Sequence, residues 1–224
     1  MNKPITKTEA AILSSRSVYW MNVKSVSDGM AKTERAIKAS TNAKLGKVVN
    51  VGRLKGARIF TLTLEERATC DNSCAHWKTC FGNNMPFATR YKMDDALLIQ
   101  IESDLEFYNA KGKSFLVRLH VLGDFPSVEY VAFWARMLCQ FENLNVYGYT
   151  ARLSGTLIGD AILSLRSPRF MVRQSGQFDG SNMSALSFDD ARSLPTVDAR
   201  KAIVCPTQIA KRGEYELAAK GIDT

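Results

Sequence analysis

The chain reads as an α/β protein: a mainly parallel sheet with helical crossovers, laid out as an open sheet or as a partial or decorated barrel, preceded by a basic helical N-terminal segment. Two observations carry that class. From residue 115 onward, short apolar runs alternate with amphipathic stretches, in the order FLVRLHV, SVEYVAFWARMLCQFEN, LNVYGYTA, SGTLIGDAILSLRS, RFMVRQS; strands joined by helices pair parallel. The chain has 224 residues, 46% hydrophobic and 23% charged, enough for one substantial core. No run approaches the roughly 20 apolar residues that cross a bilayer.

The first elements are helical. In TKTEAAILSSRSVYW, Ala11, Ile12, Val18 and Tyr19 share a helical face. SDGMAKTERAIKAS reads as a second helix, capped by Ser27 or Asp28. LGKVVNVG and ARIFTLTL are two short strands joined by the turn-like GRLKG. The cysteine-rich stretch 70–85 has little periodicity and is a loop. From Pro86 to about Ala110 the pattern is one long helix, with Pro86 in its first turn and Ala96, Leu97, Ile101, Leu105 and Tyr108 at helical spacing. Within the helix expected over residues 130–142, Cys139 falls on the apolar face and should fill the core. After the alternating elements, KAIVCP is a short strand and EYELAAKG a final helical piece. With no internal repeat or linker, the division is residues 1–41, the basic segment, and 42–224, the α/β core.

Charge separates the same two parts. Of 30 Lys and Arg and 22 Asp and Glu, residues 1–60 hold twelve and three, a local +9, and the remainder carries −1. A basic segment on a near-neutral body is the electrostatic footprint of a polyanion, nucleic acid first; a solvated basic face that aids solubility is the plain alternative. The N-terminus has no long apolar run and no small-residue cleavage site, so a cytoplasmic protein without a membrane partner is expected.

In parallel α/β folds, sites gather at the C-terminal ends of strands. Here those ends present His120, Gly123, Asp124 and Ser127, then Tyr149, Thr150 and Arg152, then Arg173, Gln174, Ser175 and Gln177. Asp124, between Gly123 and Phe125-Pro126, is positioned to act as nucleophile or general base, or else to cap the helix starting near Ser127. His120 alternates with Arg118 and could face the same cleft, with Tyr149 in support; a satisfied core histidine is the plain reading. Arg152 and Arg173, with Gln174 beside them, suit phosphate oxygens. Neither G-x-x-x-x-G-K-[ST] nor G-x-G-x-x-G after a strand occurs, so an ordinary nucleotide cradle is not supported.

Three of the five cysteines, Cys70, Cys74 and Cys80, fall within eleven residues. Clustered thiols in a reducing compartment are more often ligands or catalytic groups than disulfides. The spacing C-x3-C-x5-C matches structural zinc in its first gap only, and His76 or the distant Cys205 could supply a fourth ligand. Cys205 precedes a proline, as in many iron–sulfur sites. Zinc and an iron–sulfur cluster both remain open, against three free cysteines in an ordered loop. Coordination could replace the apolar core that so polar a loop lacks.

NAKLGK, FTLTL, a cysteine-rich loop ending in CF, RLHVLGDFPSVEYVAFW, YGYTARL and VCPTQ, in this order, resemble a family of bacteriophage proteins named after one phage gene product, the eighty-eighth. The resemblance spans residues 42–208 and is most specific in H-x-x-G-D-F at residues 120–125 and Y-T-x-[RS] at residues 149–152. It implies phage origin, an α/β core and a cysteine-bound metal or iron–sulfur centre. The matching positions are Cys70, Cys74, Cys80, His120, Gly123, Asp124, Tyr149, Thr150 and Cys205. The family pattern continues into a tail with further cysteines that this chain, ending at Thr224, does not carry. Radical S-adenosylmethionine enzymes use C-x3-C-x2-C, and the five-residue second gap departs from it. Queuine-type transglycosylases pair an Asp nucleophile with a zinc site, but their zinc ligands come after the catalytic Asp, whereas here the cysteines precede Asp124.

The leading expectation is an enzyme acting on nucleic acid or its bases, with Asp124 as catalytic carboxylate, His120 and Tyr149 in support, and Arg152, Arg173 and Gln174 on the substrate. Cys70, Cys74, Cys80 and Cys205 would hold the metal. The alternative is a non-enzymatic, metal-stabilised phage protein that binds nucleic acid or a host protein; a small-molecule enzyme is a third possibility.

Overall fold

The structure, a computed structural model, describes residues 22–29, 34–42, 45–72, 74, 77, 80–85, 87–175, 184–185, 196–197 and 200–201. The helix expected around residues 5–20, His76, Pro86, Gln177, Cys205 and the last helical piece lie outside the described residues.

Among the described residues the main sheet has six strands: β2 (Lys38–Ala39), β3 (Arg58–Thr61), β5 (Phe115–Leu119), β6 (Leu144–Thr150), β7 (Phe170–Ser175) and β8 (Ser184–Ala185). Their spatial order is their chain order. Only the edge strand β2 is antiparallel to its neighbour; the other pairings are parallel. A small parallel pair joins β1 (Val23–Lys24) to β4 (Arg90–Tyr91), and β9 (Thr196–Val197) pairs antiparallel with β10 (Arg200–Lys201). The helices are α1 (Glu66–Thr69), α2 (Asp95–Asn109), α3 (Val128–Gln140) and α4 (Leu157–Ser164).

A sheet that advances in one direction with same-handed crossovers puts every crossover helix on one face. The core reflects this. Phe60, Val117, Leu119, Val146, Phe170 and Val172 pack with Leu97, Ile101 and Leu105 of α2, Tyr130, Trp134 and Met137 of α3, and Ile162 of α4. Each of these helices begins on a side-chain cap: Asp94 accepts from the Leu97 N–H, Ser127 from Tyr130, Thr156 from Gly159. On the other face Ile59, Leu116, Tyr147 and Met171 meet Val49, Leu54 and Ala57 from the segment that folds over the N-terminal half of the strands.

The α/β class and the five elements from residue 115 onward stand as expected. Four local expectations are corrected. Residues 27–40 do not form one helix: a 3-10 turn occupies Val26–Asp28 and residues 38–39 pair as β2. The strand expected over 45–52 shrinks to a single bridge, Val48 to Arg58, though the hairpin pairing is present through Val49 N–H to Ala57 C=O and Ile59 N–H to Lys47 C=O. The long helix begins only at Asp95, since residues 90–91 pair with β1 and Asp94 is its N-cap. Cys139 is exposed rather than core; with Ala132, Arg136 and Gln140 it lies on the outer stripe of α3.

Candidate functional site

The polar residues converge where β3, β5 and β6 end. After β5 the chain turns at Gly123, whose φ is +89°; a Cβ there would stand 2.7 Å from Leu64 Cβ and 2.8 Å from Thr69 Oγ1, so only glycine fits. That turn sets Asp124, 3% exposed, against the end of β6. Its Oδ1 accepts from Thr150 Oγ1 (2.6 Å) and the Phe125 N–H (2.8 Å), and its Oδ2 from the Ala151 N–H (2.8 Å). Burial raises its pKa, opposed by these hydrogen bonds and by the Arg152 charge. Arg152 donates to Phe125 C=O, Asp71 and Thr69 C=O, each at 2.8 Å. The pair therefore ties the ends of β5 and β6 to the residues around Cys70.

Cys70, Cys74 and Cys80 are all half-buried and reduced, and all three line one cavity of about 400 Å³. Leu122 and Gly123 form its floor beside them, and Phe81, 64% exposed, opens it to solvent. The thiols sit close enough to affect one another. Burial pushes Cys70 up, with the charges of Asp124, Cys80 and Cys74 adding to it, and burial also raises Cys80. Among the described residues, no group of three His, Cys, Asp or Glu side chains stands ready-made as a metal site. The donor set nonetheless suits a soft cation: thiolates favour zinc and iron–sulfur clusters.

Two arginines that carry no motif in the sequence hold this loop. Arg90, fully buried, pairs with Glu66 through Nε (2.8 Å) and Nη2 (3.2 Å) and donates to the carbonyls of Gly82, Met85 and Ala88. It thereby fixes α1 to the chain after Cys80. Arg67 donates to Trp77 C=O (2.6 Å) and Asn83 Oδ1 (2.8 Å), while its buried Nε has no hydrogen-bond partner.

The remaining predicted residues divide between the two sheet faces. His120 sits in the helix-side core, 4% exposed, with Nε2 3.0 Å from Tyr130 Oη and its ring edge-on to Phe125. Gln174, 1% exposed, donates to Arg152 C=O, and its Oε1 has no partner. By strand alternation Arg118, Tyr149 and Arg173 share the opposite face; Arg118 lies 5.1 Å from the Tyr149 ring and Arg173 stands in register with Tyr149.

Burial holds the His120 pKa down to about 3, below its ordinary 6.5. Protonation therefore favours the unfolded chain, and stability drains away as pH falls from about 6.5 towards 3, by up to roughly 1.4 kcal/mol per pH unit. Chemical denaturation at pH 7 and pH 5 should show wild type losing about 2 kcal/mol more than His120→Phe; equal losses would contradict a buried neutral imidazole.

The exposed basic residues Lys47, Arg53, Lys55 and Arg58 lie before β3 or at its start, and Arg53 donates to Pro168 C=O just ahead of β7. They gather at the N-terminal end of the parallel strands, opposite the cysteine cavity. No helix among the described residues is long and apolar enough to cross a membrane.

A family model described as Gene product 88 matches residues 30–213, more than half of the chain. The chain belongs to that family of phage gene products. No curated protein and no solved structure matches it.

Proposed function

We propose that this member of the Gene product 88 family is a phage enzyme whose three clustered cysteines hold an iron–sulfur cluster or a zinc ion, and that it acts on nucleic acid or its bases. The observation that carries this reading is that Cys70, Cys74 and Cys80, spread over eleven residues, line one cavity at the C-terminal end of the parallel sheet. That is where this class of fold places its chemistry. Thiol donors on such a cavity suit a soft centre of either kind. A cluster there supplies electron transfer, and zinc supplies Lewis acidity.

The chain's own groups then have these roles. Cys70 and Cys80, raised by burial, must release protons to bind a cation, so metal uptake strengthens as pH rises. Asp124 and Arg152 act as positioning residues, because their polar atoms are already engaged with the ends of β5 and β6 and the start of the cysteine loop. Contact with phosphates passes to Arg118 and Arg173, with Tyr149 between them as a stacking surface. His120 supports the core under the site.

The test is nucleoside analysis by mass spectrometry of DNA and RNA incubated with anaerobically purified wild type or Cys74→Ser. A nucleoside that changes with wild type alone is the expected result; identical profiles would count against the enzymatic reading. A second reading, a non-enzymatic nucleic-acid-binding protein, draws support from the basic residues lying at the far end of the sheet from the cysteines. It predicts salt-sensitive binding that Cys74→Ser leaves unchanged.

A further inference from the structure

We propose that the N-terminal end of the parallel strands is a docking surface for the phosphate backbone of duplex nucleic acid, indifferent to base sequence and separate from the cysteine cavity. This rests on the nucleic-acid part of the reading above and needs no metal.

Charge is divided along the strands in a way that chain order hides. By position, the basic excess belongs to residues 1–60, and the remainder carries −1. In the fold, Lys111 and Lys113 stand just ahead of β5 and Arg166 ahead of β7, all exposed. They join Lys47, Lys55 and Arg58 at one end of the sheet. Glu142 is the one acidic residue among residues 45–57, 110–114, 141–143 and 165–169, which lead into β3, β5, β6 and β7. At the other end, residues 62–72, 120–127 and 151–156 carry Glu65, Glu66, Asp71 and Asp124 against Arg67 and Arg152. A polyanion is drawn to the first end and not to the second.

Helix ends do not account for these cations. The crossover helices finish at this end, where their dipoles favour positive charge, and Arg169 serves that purpose by donating to the carbonyls of Leu138 and Phe141 at the end of α3. Lys47, Lys55 and Arg58 instead belong to the hairpin that packs on the opposite face of the sheet. The cations therefore frame the end of the sheet from both faces.

Width and composition select a duplex. Strands about 4.8 Å apart put the segments before β3 and β7 roughly 14 Å from one another, enough to meet the phosphates on both sides of a groove about 12 Å wide. Proteins that hold single strands add aromatic platforms on which bases stack. Here the hairpin exposes Val48 and Val51, and the nearby Phe107 ring already carries Arg35 at 3.7 Å and Lys111 at 4.3 Å.

The experiment is fluorescence anisotropy of a labelled random-sequence DNA duplex, and of its single strand, titrated with the full chain across a salt series. Wild type should prefer the duplex, with affinity falling steeply as salt rises. Lys113→Glu/Arg166→Glu leaves the N-terminal quarter untouched; it should weaken duplex binding by about tenfold or more and flatten the salt slope by about 2. Lys47→Glu/Lys55→Glu, in the hairpin, should do the same. Lys92→Glu/Arg136→Glu removes equal charge away from this end and should bind nearly as wild type does. Wild-type affinity in both of the first two variants, or an equal loss in the third, would overturn the surface and leave a nucleic-acid substrate at the cavity standing. Tighter binding to the single strand, or binding to anionic phospholipid vesicles in place of DNA, would overturn the choice of partner. A chain that binds neither form of DNA would overturn the inference and confine the enzymatic reading to free bases.

Discussion

Arg90→Met should destabilise the protein by about 3–5 kcal/mol, the range for breaking a buried ion pair by removing one partner. The variant leaves the Glu66 carboxylate, in a residue 2% exposed, without its cation. It also strips the carbonyls of Gly82, Met85 and Ala88 of their donor. Because these groups span α1 and the chain after Cys80, the loss should be felt first in the cysteine cavity: the metal proposed for it should be released at denaturant concentrations that leave the sheet intact. Urea unfolding followed by circular dichroism, with metal retention measured on the same samples, reads both. A loss under about 1 kcal/mol would mean that the pair is solvated and does not organise the loop.

Asp124→Asn should cost about 2–3 kcal/mol, the scale of charge-assisted hydrogen bonds left partly unmade in a buried site. An amide has one acceptor oxygen where the carboxylate has two, and its NH2 would face the Ala151 N–H or the Thr150 hydroxyl. The sequence by itself points to a different outcome, a folded but inactive Asn variant, because a carboxylate after a Gly turn at a strand end looks poised for catalysis. The two outcomes separate in a double-mutant cycle with Thr150→Val. Coupling above about 1 kcal/mol identifies a structural clamp, whereas an Asp124→Asn protein of wild-type stability that has lost its activity would return the carboxylate to the chemistry.

The elements legible in the sequence were those whose signals are local. β5, α3, β6, α4 and β7 each bury a periodic apolar set, and Ser127 and Thr156 announce their helices. Long-range pairings were not legible. β1 and β4 are two residues each and exist because Val23 finds Arg90 across 67 positions, which no window of sequence reveals; the same pairing holds residues 90–91 out of α2 and so sets where that helix starts. Cys139 shows the limit of periodicity, since it sits one residue past buried Leu138, and that step of roughly 100° carries it onto the outer stripe.

The site was half legible. Thiol clustering and polar strand ends marked Cys70, Cys74, Cys80, Asp124 and Arg152, and the structure joins them through the Asp71–Arg152 pair at 2.8 Å. What sequence could not say is how their polar atoms are used. Asp124 and Arg152 are turned to one another's strand ends, while Arg118, unremarkable in a strand of apolar residues, lies beside Tyr149. Arg90 and Glu66, 24 positions apart, carry no motif at all; a lone arginine in ATRYKMDD gives no sign of being fully buried.

Everything proposed for the site depends on Cys70, Cys74 and Cys80 holding a metal centre, and metal with acid-labile sulfide analysis of anaerobically purified protein decides that point. Bound iron with sulfide, or about one zinc per chain, is expected, and it should be lost in Cys70→Ser, Cys74→Ser and Cys80→Ser alike. A folded wild-type protein that carries neither, and takes up neither when reconstituted, would contradict it.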